Sequence, residues 1–91
     1  MLVNVGYMAQ IKVAAGTGEE QIELPESASV ADLVQAITDR HKGLKNLLLD
    51  EQGLLRPTIL VFINDAQADD GMRTTLKDSD DVSFLSPIAG G

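Results

Sequence analysis

Residues 57–65 read Pro57-Thr58-Ile59-Leu60-Val61-Phe62-Ile63-Asn64-Asp65. An unbroken apolar run stands between a proline and an Asn-Asp pair, the pattern of a strand that ends in a tight turn. Side chains alternate along a strand, so Ile59, Val61 and Ile63 share one face while Leu60 and Phe62 share the other. Both faces are therefore apolar. The chain offers one main helix, and a helix covers one face only. The second face must be closed by a loop or by a partner.

Working outward, Ala66-Gln67-Ala68 follows the turn as a short partner strand. Residues 69–81 form a long polar loop pinned by Leu76, and "VSFLS" (82–86) is the last strand. Upstream, Val3, Val5, Tyr7, Ile11 and Val13 share one parity, which is strand periodicity. Gly6 marks a bulge or the true start of the regular strand. "AAGTGEE" (14–20) reads as a turn, and Gln21 to Leu24 alternates as a second strand, so the N-terminal third is expected to be a β-hairpin. Pro25 ends it. Ser29 is a helix N-cap with Asp32 at the capping-box position. Val30, Leu33, Val34 and Ile37 then recur at helical spacing on one face. Arg40, His41 and Lys42 suit the negative end of the helix dipole, and Gly43 is a natural stop. "LKNLLLD" (44–50) is a short second helix and "EQG" (51–53) a loop. This order predicts an α+β fold with a mixed sheet of about five strands and one main helix packed on one face. The first and last strands pair in parallel at the centre, and the helix connects two edges. That is the β-grasp architecture.

Ninety-one residues make a single domain with one modest core. At 44% hydrophobic and 3% aromatic, that core must be aliphatic. The chain has no cysteine, which removes disulfides, thiolate nucleophiles and cysteine zinc sites and suits the cytoplasm. "MLVNVGYMAQ" (1–10) lacks a basic start and a long apolar stretch, so no signal peptide is expected, and no segment is apolar for long enough to span a membrane. Fourteen acidic residues against seven basic ones give a net charge of -7. Nucleic acid and anionic membranes are poor partners for such a field. A basic protein surface suits it, and so does simple solubility.

Other motifs carry no chemistry. "GTGEE" (16–20) has a Gly-x-Gly core, but a strand follows it and Glu19 and Glu20 would repel a phosphate. "KDSDD" (77–81) lacks the twelve-residue frame of a calcium loop, so no metal site is expected. His41 is the only histidine and reads as a cation at a helix end. No catalytic constellation emerges, so the protein is expected to be a substrate or subunit of an enzyme rather than an enzyme.

"IELPESASVADLVQAI" (22–37), "LRPTILVFIND" (55–65) and "DDGMRTTLKDSDDVSFLSPIAGG" (69–91) together resemble the MoaD/ThiS family of ubiquitin-like sulfur carriers. The likeness runs over about residues 10–91. Its pattern is nearest to the carriers that supply sulfur for cysteine synthesis and to the longer MoaD-like proteins. One departure is that the family's loop glycine falls at Ser79, so that turn is expected to do without free access to positive φ. The resemblance implies a β-grasp domain over 1–86 and a projecting, flexible tail over 87–91. It implies that the carboxylate of Gly91 is adenylated by an adenylyltransferase resembling ubiquitin-activating enzyme. A sulfur donor then converts it to a thiocarboxylate, and a synthase accepts the sulfur. No cofactor is bound; ATP is used by the partner. Gly91 already stands last, so no trimming is expected. Rival readings are the small subunit of molybdopterin synthase, a protein modifier joined to lysine, and a non-covalent adaptor.

The tail's residues suit that chemistry. Gly90 and Gly91 carry no side chain and can thread a narrow channel. Pro87 fixes φ and biases Ser86 toward extended backbone, Ala89 is small, and Ile88 offers an apolar anchor. Alignment with ubiquitin-like folds turns Val61, Ile63, Val82 and Phe84 inward. It leaves Leu60, Phe62 and Leu85 on the open face as a patch where the adenylating partner docks.

Overall fold

The computed structural model describes residues 1–86, and the tail positions Pro87, Ile88, Ala89, Gly90 and Gly91 lie outside the described residues. Five strands form one sheet: β1 (Leu2–Tyr7), β2 (Glu19–Glu23), β3 (Leu60–Ile63), β4 (Ala66–Gln67) and β5 (Asp81–Leu85). Their order is β2-β1-β5-β3-β4. β1 and β5 run parallel at the centre, and the remaining neighbours are antiparallel. This is the expected ubiquitin-like β-grasp sheet. One detail differs: the chain passes from edge strand β2 to inner strand β3, and the two-residue β4 takes the far edge.

Helix α2 (Val30–Arg40) covers one face and buries Val30, Leu33, Val34 and Ile37, the side chains of the predicted stripe. Its start is the predicted capping box. Ser29 Oγ accepts from the Asp32 N–H at 3.3 Å, and the Asp32 carboxylate accepts from the Ser29 N–H at 2.9 Å. Each of these satisfies a backbone donor that the helix itself leaves orphaned. Helix α2 ends at Arg40, short of Gly43, which lies in a following 3-10 turn, Lys42–Leu44. A short helix, Lys45–Leu48, then buries Leu48. The long polar loop is pinned as expected, with Leu76 buried and its N–H donating to the Ala28 carbonyl at 2.8 Å.

The N-terminal hairpin expectation fails in the middle. Ala9–Ala15 is a helix, α1, set between β1 and β2. Ile11 and Ala15 are buried at helical spacing, while Val13 is 82% exposed. The sequence 8–16 fits both periods, and its alanines and unbranched side chains favour the helix. Gly16 ends it at φ 78, where glycine has no steric penalty. Gly6 is neither a bulge nor a strand start: it lies inside β1, opposite Glu19 and Ser83. Ser79 shows how its turn manages without a glycine. It takes φ 69 although it replaces a glycine, so the turn keeps its left-handed residue at a cost of about 1–2 kcal/mol. Asn64 and Asp65, at φ 52 and 71, make the hairpin turn between β3 and β4.

Candidate functional site

Strand register decides what surrounds the root of the tail. On the helix-covered face, Tyr7, Phe84 and Val61 form one row across β1, β5 and β3. All three are buried, and Phe84 is fully so. Val5, Val82 and Ile63 form the row behind it. On the opposite, open face, Leu60 stands directly across from Leu85, and Phe62 across from Ser83 in the adjacent row. The structure thus brings Leu60, Phe62 and Leu85 together beside Ser86, the last described residue. Each is half-buried, so the patch is a shallow apolar surface rather than a set of protruding side chains.

The open face changes character toward β2. Gln21 Nε2 donates to Asn4 Oδ1 at 3.0 Å, and Asn4 Nδ2 donates to Asp81 Oδ1 at 2.9 Å. Across β2, β1 and β5 these side chains flank a groove of about 560 Å³, with Gly6 and Ser83 among its lining residues.

A polar cluster that sequence reasoning missed braces the same end of the sheet from the other side. The Tyr7 hydroxyl donates to Glu20 Oε2, His41 Nε2 lies 2.6 Å from the same oxygen, and Arg40 donates to Glu20 Oε1 at 3.0 Å. An ionised carboxylate only accepts, so His41 carries its proton on Nε2. The cluster ties β1, β2 and the end of α2 together, and His41 is held by this carboxylate as well as by its place at the helix end. The one available signal was parity: Glu20 shares the inward side of β2 with Ile22. Burial pushes the Tyr7 hydroxyl far above its ordinary range, and the Glu20 carboxylate reinforces this. Burial also works to raise Glu20, but hydrogen bonds from Tyr7, Arg40 and His41 outweigh it and hold the carboxyl below its ordinary value.

A depressed carboxyl pKa stabilises the fold above its unfolded value and ceases to do so as pH falls through the folded one. Glu20→Gln should therefore lower stability by about 1–3 kcal/mol at neutral pH. Below the ordinary glutamate range the gap between variant and wild type should close. Denaturant melts of both proteins across an acid series measure this, and a gap that stays constant with pH would assign the effect to packing alone.

Among the described residues, no group of three or more His, Asp or Glu side chains is placed to hold a metal ion. No helix of the described residues is long and apolar enough to cross a membrane.

Comparison with known proteins agrees with this geometry. The ThiS family model matches residues 5–91. The chain is 29% identical to small archaeal modifier protein 3 of Haloferax volcanii, and 28% identical to the molybdopterin synthase sulfur carrier subunit of Chlamydomonas reinhardtii. Each of these matches covers all of both chains. Among solved structures, it is similar to the small archaeal modifier protein 1 of Methanosarcina acetivorans, with a TM-score of 0.86 and 32% identity over 99% of this chain and 96% of that one. It is also similar to a chain of the BexX/CysO complex of Amycolatopsis orientalis, with a TM-score of 0.76 and 28% identity over 98% of this chain and 99% of that one.

Proposed function

The chain belongs to the ThiS family, whose members are small ubiquitin-like carriers, modifiers and subunits, and within it we propose a sulfur carrier whose reactive group is the carboxylate of Gly91. The observation that carries this reading is the family match, which extends through the fold into the Gly90-Gly91 pair. A partner adenylyltransferase directs that carboxylate at the α-phosphorus of ATP; pyrophosphate leaves and an acyl adenylate remains. A sulfur nucleophile from a donor then displaces AMP and leaves the thiocarboxylate, which a synthase consumes. The domain supplies no catalytic side chain to these steps. It supplies a rigid frame: β5 is the central strand, and the Tyr7–Glu20–His41 cluster braces the neighbouring end of β1. The half-buried Leu60, Phe62 and Leu85 then offer the enzyme an apolar surface beside Ser86.

Intact mass after co-expression with an adenylating partner tests the reading. The expected product is heavier by the replacement of one oxygen with sulfur, and it reverts on hydrolysis. A second reading, conjugation to lysine, is favoured by the likeness to an archaeal modifier protein. It predicts a ladder of lysine-linked conjugates instead. A protein that leaves co-expression with an unchanged mass and no conjugates would refute both.

A further inference from the structure

We propose that the groove over Gly6 receives the guanidinium of an arginine presented by a protein that docks on the open face. Gly6 is the starting observation. It lies inside a central strand, where glycine is unfavourable because it adds backbone freedom and packs nothing. Its backbone gives no reason for it, since Gly6 is not among the glycines with positive φ. Nor does crowding: a Cβ at position 6 would meet Ser83 Oγ at 3.4 Å and the Val82 carbonyl at 4.0 Å, which is ordinary contact. What the glycine does is leave space. A side chain there would stand in the 560 Å³ groove that Gly6 lines.

The walls specify the occupant. Glu19 pairs with Gly6 on one side and Ser83 on the other, and Asp81 lies one row back on β5. Glu19 and Asp81 are exposed, and no lysine or arginine lines the groove. The relay from Gln21 through Asn4 turns amide donors toward Asp81, which fixes that carboxylate without neutralising it. The net charge of -7 adds a general attraction for cations. A guanidinium fits better than an ammonium. Its plane lies flat on a bare glycine peptide, and its forked donors reach carboxylates and a serine hydroxyl together. On the far side, Phe62 adjoins Ser83, so the apolar patch continues from the groove and would receive the arginine stem and its neighbours.

The test is a titration of the isotope-labelled full chain, followed by NMR, with N-acetyl-arginine amide and separately with N-acetyl-lysine amide. The expected result is a saturable shift of the Gly6 and Ser83 amides in the millimolar range, stronger for the arginine probe. Glu19→Gln should weaken it by about threefold, as for an exposed charge pair. Gly6→Val should abolish it, and Gly6→Ala, which the strand accommodates without a close contact, should reduce it. Equal response to both probes, shifts scattered over the acidic loops, or a titration unchanged in both Gly6 variants would overturn the proposal. The readout does not involve Gly91, so failure here leaves the sulfur chemistry untouched, and failure there leaves this site untouched.

Discussion

Removal of Gly91 should abolish activation by the adenylating partner while leaving the domain folded. The argument is one of reach. Each extended residue spans about 3.3–3.6 Å, so the truncated carboxylate is displaced by a whole residue length. Reacting atoms must come within about 3–3.5 Å to be productive, and a misplacement of 1 Å already costs about a hundredfold. Deletion of one residue therefore moves the nucleophile by as much as the entire attack distance. An added residue should be equally damaging, since it buries the old carboxylate in a peptide bond. Glycine brings no side chain to the fold, so the melting temperature should not move. Pyrophosphate exchange catalysed by the partner measures the activation step directly. Normal exchange by the truncated protein would show that the Gly91 carboxylate is not the nucleophile, whatever family the domain belongs to.

What the sequence reveals depends on whether a signal is local. The capping box at Ser29 and Asp32 is legible because both of its hydrogen bonds close within one helical turn. Parity groups Val61 with Ile63 and Val82 with Phe84 because the pleat enforces it, but the choice of these as the inward set comes from the likeness to ubiquitin-like folds, and the register in the sheet agrees with it. Residues 9–15 are not legible on the same grounds. Ile11 and Val13 match strand parity, and only packing separates them, with Ile11 on the buried side of α1 and Val13 left in solvent. Ser79 shows a different limit: a turn demanded by its surroundings held positive φ against the preference of the residue. The hydrogen bonds of the Tyr7–Glu20–His41–Arg40 cluster join positions 13 to 21 apart, so no spacing rule announces it. The open-face groove was hidden for a related reason. Along the chain Gly6 carries only a backbone signal, whereas its effect lies in the space it leaves between β2 and β5. The tail's chemistry rested on family resemblance rather than on local physics, because Gly90 and Gly91 have no side chains to read.

The chain's two phenylalanines should respond in opposite ways, and this is the sharpest test of which face of the sheet is core. Phe84 stands between Tyr7 and Val61 in the central row and has no solvent exposure. Phe84→Ala removes a full aromatic side chain from the core, and the rigid sheet cannot collapse to fill the cavity. The cost should be about 3–5 kcal/mol. Small domains hold about 5–15 kcal/mol in total, so this variant should melt far earlier or fail to accumulate. Phe62 is on the neighbouring strand and the other face, opposite Ser83, where it is half-buried. Phe62→Ala loses partial burial and leaves no enclosed cavity, so it should cost about 1–2 kcal/mol. Its larger effect should appear in binding to the adenylating partner, weakened about tenfold or more, since aromatic side chains dominate contact surfaces. Chemical denaturation of both variants, with a binding titration on Phe62→Ala, separates the two roles. If Phe62→Ala unfolds as readily as Phe84→Ala, the open face is structurally closed and cannot be where the enzyme docks. If it keeps both full stability and full affinity, the enzyme must hold the domain elsewhere, and the apolar row beside Ser86 would have no part in delivering Gly91.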